Sequence, residues 1–161
     1  MKKYFQKVYD FYTRYGFKKP KGASNKEIEQ LEAKLGFKLS VAYKEYLKFM
    51  GNDYKGALCG TDCFINERKI DKDSLEESLK LNELKVDLPQ DFLVFFNHQG
   101  YYLAWFELNI PDENPKCFYY MEDDLTELKE STFSEFMTKE ILSCAKITME
   151  LGKHKPWWKL W

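Results

Sequence analysis

The residues of this chain best suited to nucleophilic or metal chemistry are 2 histidines and 4 cysteines, and their spacing assembles no site. His98 sits in a turn, "NHQG", and His154 in a basic tail. A catalytic imidazole needs a nucleophile held beside it by the fold. Cys59 and Cys63 are the thiols on offer, and nothing in the spacing selects them. His98 therefore reads as a solvated turn residue. For zinc, Cys59-x3-Cys63 would need a second close pair of ligands, and Cys117 and Cys144 stand far apart. Glu122, Asp123 and Asp124 in "MEDDLTEL" are clustered carboxylates of the kind that can do general acid–base work. No partner signal accompanies them, which leaves a solvated turn or an acidic patch that faces another protein. No catalytic residue, metal or cofactor is expected.

Composition narrows the function classes further. Net charge is -1, so no global field would hold nucleic acid, and any electrostatic recognition must come from local patches. Hydrophobic residues make up 44% and charged residues 32%, a composition that folds. Aromatics are 17%, enough to build a core and to leave anchors for a binding surface. The start "MKKYFQKVYDFYTRYG" lacks an apolar signal region, and no run approaches membrane-spanning length. An intracellular, cytoplasmic chain with reduced, buried cysteines is expected.

The elements that must position these side chains follow from periodicity and caps. Tyr4, Val8, Phe11, Tyr12 and Tyr15 recur at helical spacing over residues 2–15, with Gly16 as a stop. "FKKPKGA" reads as a linker. In "ASNKEIEQLEAKLGFKLSVAYKEYLKFMG", Ser24 and Glu27 form a capping-box pattern, and Ile28, Leu31 and Leu35 line one face. Gly36 suits a left-handed helix end, and Ser40 suits the cap of a second helix carrying Tyr43, Tyr46, Leu47 and Met50, which Gly51 ends. "GALCGTDCFI" reads as a strand with a glycine bend. Residues 71–85 read as a helix with Leu75, Leu79 and Leu84 inward. Phe92–Phe96, Tyr101–Leu108, "KCFYYMED" and "LTELKES" read as strands, the first two joined at "NHQG". Thr132 and Glu135 repeat the capping-box spacing ahead of a last helix with Phe133, Phe136, Met137, Ile141 and Leu142 inward. The sum is an α+β fold: an antiparallel meander with helices mainly on one face, flanked by N- and C-terminal helices. One domain spans 1–161, with its core at about 23–145, an N-terminal helix and linker at 1–22, and a tail at 150–161. One face of the aromatic strands must be core, and core packing accounts for more than half of their aromatics; the other face is where Tyr and Trp would be shown to solvent. In the tail "KHKPWWKLW", lysine interleaved with tryptophan is a pattern for single-stranded nucleic acid or a membrane interface. It is short and follows a helix, so the tryptophans are expected to dock back on the domain.

The ordered motifs carry a resemblance. Ile28, Leu31-Glu32, Leu35-Gly36, Leu39, Tyr43, Leu47 and Gly51 stand as in "I…LE..LG..LP..Y…L…G", apart from its proline. "LPQDFLVFFNHQGYYLAWF", "PKCFYYMEDD" and "STFSEFMTKEIL" follow in the same order. Over roughly Ala23 to Ala145 the chain resembles the Smi/Knr-like family of the SUKH superfamily. It departs at Ser40, where a proline is usual, and at "NHQG", where an acidic glycine-rich turn is frequent.

The resemblance implies a SUKH-like fold and a bacterial immunity protein: a non-enzymatic antitoxin that binds and occludes a cognate polymorphic toxin, a nuclease or nucleic-acid deaminase. The alternative it allows is a scaffold or regulatory module with a non-toxin partner. Such toxins carry basic clefts for phosphate, which acidic side chains would complement. The expected contact residues are Asp53 with Tyr54, Asp112, Glu113, Glu122, Asp123 and Asp124, with Tyr102 and Trp105 as aromatic anchors. The expected partner is the toxin protein, with no nucleic acid, no membrane and no assembly beyond a monomer or weak dimer.

Overall fold

The computed structural model describes residues 3–66, 72–123 and 126–153. The element order is α1 (Gln6–Arg14), α2 (Asn25–Leu35), α3 (Val41–Met50), β1 (Thr61–Asp62), α4 (Lys72–Leu81), β2 (Phe92–His98), β3 (Tyr102–Glu107), β4 (Lys116–Met121), β5 (Lys129–Thr132) and α5 (Phe133–Lys153). The five strands form one sheet in sequence order, every neighbour antiparallel. This is the expected α+β meander.

The local signals act where the sequence places them. Ser24 accepts from the Glu27 amide while the Glu27 carboxylate accepts from the Ser24 N–H at 2.7 Å, a complete capping box. Gly36 takes φ 78° and returns its N–H to the Glu32 carbonyl. Ser40 accepts from the Tyr43 amide and starts α3. Each such cap stabilises its helix by about 1 kcal/mol. Gly51 does end α3, though at φ -60°, not in the left-handed region. What requires glycine there is space, because a Cβ would stand 2.6 Å from the Leu47 carbonyl oxygen. The β2–β3 turn has positive φ at both Gln99 and Gly100, the form whose twist matches a hairpin.

The glycine-rich segment differs from expectation. Only Thr61–Asp62 pairs as a strand, against Asn97 and His98. Ahead of it the chain closes turns on itself, with Gly56 N–H to Asp53 O at 2.8 Å and Cys59 N–H to Gly56 O at 3.2 Å. Those bonds use the groups that a longer strand would need for its ladder.

The sheet has two covered faces. Leu93, Phe95, Ala104, Phe106 and Cys117 point to the side of α1, α2, α3 and α5 and join the main core with Tyr43, Tyr46, Phe133 and Phe136. A register shift between Val94 and Phe96 sends Phe96 to that same side as Phe95. The opposite face carries Val94, Leu103, Trp105 and Tyr120, packed under Leu75 and Leu79 of α4. Ser78 on α4 and the Tyr120 hydroxyl share a short hydrogen bond that fixes the helix to this face. The expected display of Tyr and Trp on an open outer face is therefore corrected: α4 and the segment after it cover that surface.

Candidate functional site

A lysine-rimmed cleft occupies the C-terminal ends of α1 and α3, and the turns that build it are tightly tied. The 17–23 segment is no free linker. Ala23 N–H donates to Leu47 O at 2.8 Å, Asn52 N–H donates to Lys21 O at 2.9 Å, and the Asn52 amide reaches Gly22 O and Glu27 Oε1. Gly22 lies so close to α3 that a Cβ would meet the Lys48 carbonyl oxygen at 1.9 Å. The 52–57 turn faces this segment. Between them lies a cleft of about 560 Å³, with Tyr12, Phe17, Tyr54 and Ala57 among its walls and Lys18, Lys19, Lys21 and Lys55 around it. Thr148 of α5 closes the far side. Asp53 sits among the lysines with its carboxylate against Gly56. Burial pushes the Asp53 carboxyl up, against the opposing effects of the Lys21 amide and the Lys18 charge.

Of the residues expected at a partner contact, Asp53 and Tyr54 share this cleft, and Tyr54 packs its ring 4.8 Å from that of Phe64. The other acids lie elsewhere. Glu113 is bound to the Lys3 ammonium at 2.5 Å and the Tyr4 hydroxyl at 2.8 Å, and its backbone carbonyl accepts from Ala42 at the start of α3. Asp53 follows the other end of that ten-residue helix, about 15 Å away along its axis. The Lys3 contact, first among its hydrogen bonds, holds the Glu113 carboxyl below the usual carboxylate range. Asp112 neighbours it, exposed, and accepts from the Asn114 amide. Glu122 and Asp123 are exposed at the opposite end of β4, six residues or about 20 Å along the strand. Asp124 lies outside the described residues, as does the tail from His154 onward.

The aromatic expectations change most. Trp105 is 0% exposed in the second core, stacked on Phe118 and edge-on to Tyr120, so it is corrected from a surface anchor to a core residue. Tyr102 is half-buried on the helical side and donates its hydroxyl to Glu140 of α5 at 2.8 Å. Burial, reinforced by Glu140, pushes its phenol up.

His98, Cys63 and Cys117 are held in structural roles, whereas Cys59 is exposed and Cys144 half-buried, which corrects the expectation that all the thiols are buried. His98 Nδ1 lies 2.8 Å from the Thr61 hydroxyl, but Thr61 is 5% exposed, and the pair ties β1 to β2. Cys63 and Cys117 are buried, and burial pushes the Cys117 thiol up to about 12, which suppresses the thiolate that a nucleophile requires. Among the described residues, no group of three His, Cys, Asp or Glu side chains converges to hold a metal. No described helix is long and apolar enough to cross a membrane.

The lysine cleft is what sequence reasoning missed. Its signal was present in "FKKPKG", which places three lysines within four positions, but that run reads as a linker until α3 fixes it in place.

The family model for the SMI1 / KNR4 family (SUKH-1) matches residues 22–139, from the α2 cap through the sheet into α5. No curated protein and no solved structure matches the chain.

Proposed function

Since the chain belongs to the SMI1 / KNR4 family (SUKH-1), we propose that it is a bacterial immunity protein that binds and occludes a cognate toxin without making or breaking a covalent bond. The observation that carries this reading is the family match over residues 22–139, which takes in the capped α2–α3 pair and the whole described sheet. The chemistry is consistent with it: the imidazole of His98 and the thiols of Cys63 and Cys117 are committed to the interior or to strand pairing. Two helices started by Ser24 and Ser40 and packed on an aromatic core make a stiff platform. A stiff platform loses little entropy when its surface docks.

The toxin class is a nuclease or a nucleic-acid deaminase. Such a toxin needs a basic groove for its substrate, and the exposed Glu122 and Asp123 are the acids offered to that groove. The protein works in the cytoplasm as a monomer or weak dimer, one copy on one toxin.

The test is protection. The toxin domain encoded beside this gene is co-expressed with the full chain, and growth and complex formation are measured. Restored growth and a joint peak on a sizing column are expected. Undiminished toxicity with separate elution would overturn the reading.

A further inference from the structure

Positive charge is gathered unevenly on this surface. Lys18, Lys19, Lys21 and Lys55 rim the cleft, and Lys48 lines the adjoining groove, which shares Lys19, Lys21, Asn52 and Tyr54 with it. None of these five lysines makes an ion pair with a described carboxylate, whereas Lys3, Lys38, Lys44 and Lys116 do. The C-terminal dipole of α3 suits Lys48 in its last turn and decays within that turn. Lys18, Lys19 and Lys55 lie beyond it. The lysines are exposed, yet the backbone under them is fixed by the Ala23–Leu47 and Asn52–Lys21 hydrogen bonds. Beneath the charged rim the walls are apolar: Tyr12, Phe17, Tyr54 and Ala57.

We propose that this cleft docks an acidic segment of the toxin, with an apolar side chain of that segment in the cleft and its flanking carboxylates on Lys18, Lys19 and Lys55. The proposal rests on the reading of the chain as a toxin-binding protein and assigns the partner a second contact, outside its substrate groove. A protein segment suits the site better than nucleic acid. The cleft is compact, with room for a few side chains, and its walls are apolar, which suits an apolar side chain flanked by carboxylates rather than a phosphate chain. A nucleic-acid surface would extend as a basic stripe.

The test uses the full chain and fluorescence anisotropy. The probes are a fluorescein-labelled Glu-Asp-Phe-Glu-Asp-Leu-Glu peptide, the same peptide with every acid replaced by its amide, and a labelled oligothymidylate. The wild type is expected to bind the acidic peptide in preference to both others, and more weakly as salt rises. The triple variant Lys18→Glu/Lys19→Glu/Lys55→Glu should lose about tenfold or more in affinity. The milder Lys→Gln triple variant should lose less, and near-UV circular dichroism of both variants should match wild type. An acidic peptide bound no better than its amide form overturns the proposal, as does an oligothymidylate bound more tightly than the peptide. In complex with the toxin domain, an unchanged Kd for the charge-reversed variant overturns the cleft assignment and leaves the immunity reading standing. Failure of the wild type to form that complex overturns the immunity reading, and the peptide arm then decides the chemistry of the cleft alone.

Discussion

The carboxylate of Glu45, in the middle of α3, accepts the backbone N–H of Phe5 at 3.1 Å and caps α1 from another helix. The same carboxylate takes the N–H groups of Lys3 and Tyr4 at 3.0 and 3.2 Å. Phe5, the N-cap of α1, has no side-chain oxygen to do this itself. A negative charge among unpaired amides at a helix start satisfies them and favours the helix dipole. Glu45→Ala should therefore destabilise the protein by about 1–2 kcal/mol. Hydrogen exchange should rise in α1 before it rises in the sheet. Equal protection of α1 in wild type and variant would show that the cap contributes nothing.

Glu32, the acid of the "LE" pair, is 7% exposed and joins α2 to α3. It accepts from Lys44 at 2.8 Å, the Leu39 amide at 2.9 Å and Lys38 at 3.0 Å. Burial pushes its carboxyl up, but Lys44, the Leu39 amide and Lys38 together outweigh burial and hold it at about 2, against 4.5 for a free side chain. A depressed value means that ionised Glu32 stabilises the fold fully above pH 4.5, and that this contribution is lost as pH falls from 4.5 toward 2. Glu32→Gln should cost about 1.5–3 kcal/mol at neutral pH. The variant should also lose less stability than wild type between pH 4.5 and the acid limit. Parallel pH profiles of Tm for the two proteins would contradict this account.

Trp105 separates a core role from a contact role. Trp105→Ala should cost about 3–5 kcal/mol because its ring is wholly enclosed between the sheet and α4. Trp105→Phe should lower Tm and leave the Kd of the toxin complex unchanged. Loss of affinity at unchanged Tm would mean that the indole reaches the partner.

Gly22→Ala should destabilise by about 2 kcal/mol or more, since its methyl would have to enter the Lys48 carbonyl and displace backbone on one side or the other. The displaced segment carries Lys18, Lys19 and Lys21, so binding of the acidic peptide should weaken in the same variant. Unchanged Tm and peptide affinity would place the 17–22 segment elsewhere.

Ser24, Glu27, Gly36 and Ser40 were legible in the sequence because each acts through hydrogen bonds that close within three or four residues. The strand order was legible for a related reason, since short turns such as Gln99-Gly100 force neighbours in sequence to pair. The contacts that decide the surface join residues far apart in the chain, and no local pattern encodes them. Alternation along β3 and β4 fixes which residues share a face, but only the docking of α4 decides that Trp105 and Tyr120 are buried. The acids were visible as residue types. Their separation follows from the lengths of α3 and β4, which hold Glu113 away from Asp53 and from Glu122. The lysines of "FKKPKG" and of the 52–57 turn form one charged rim only because α3 pins both segments at its C-terminal end. Sequence determined the elements through short-range bonding, and tertiary packing decided which of their side chains another molecule can touch.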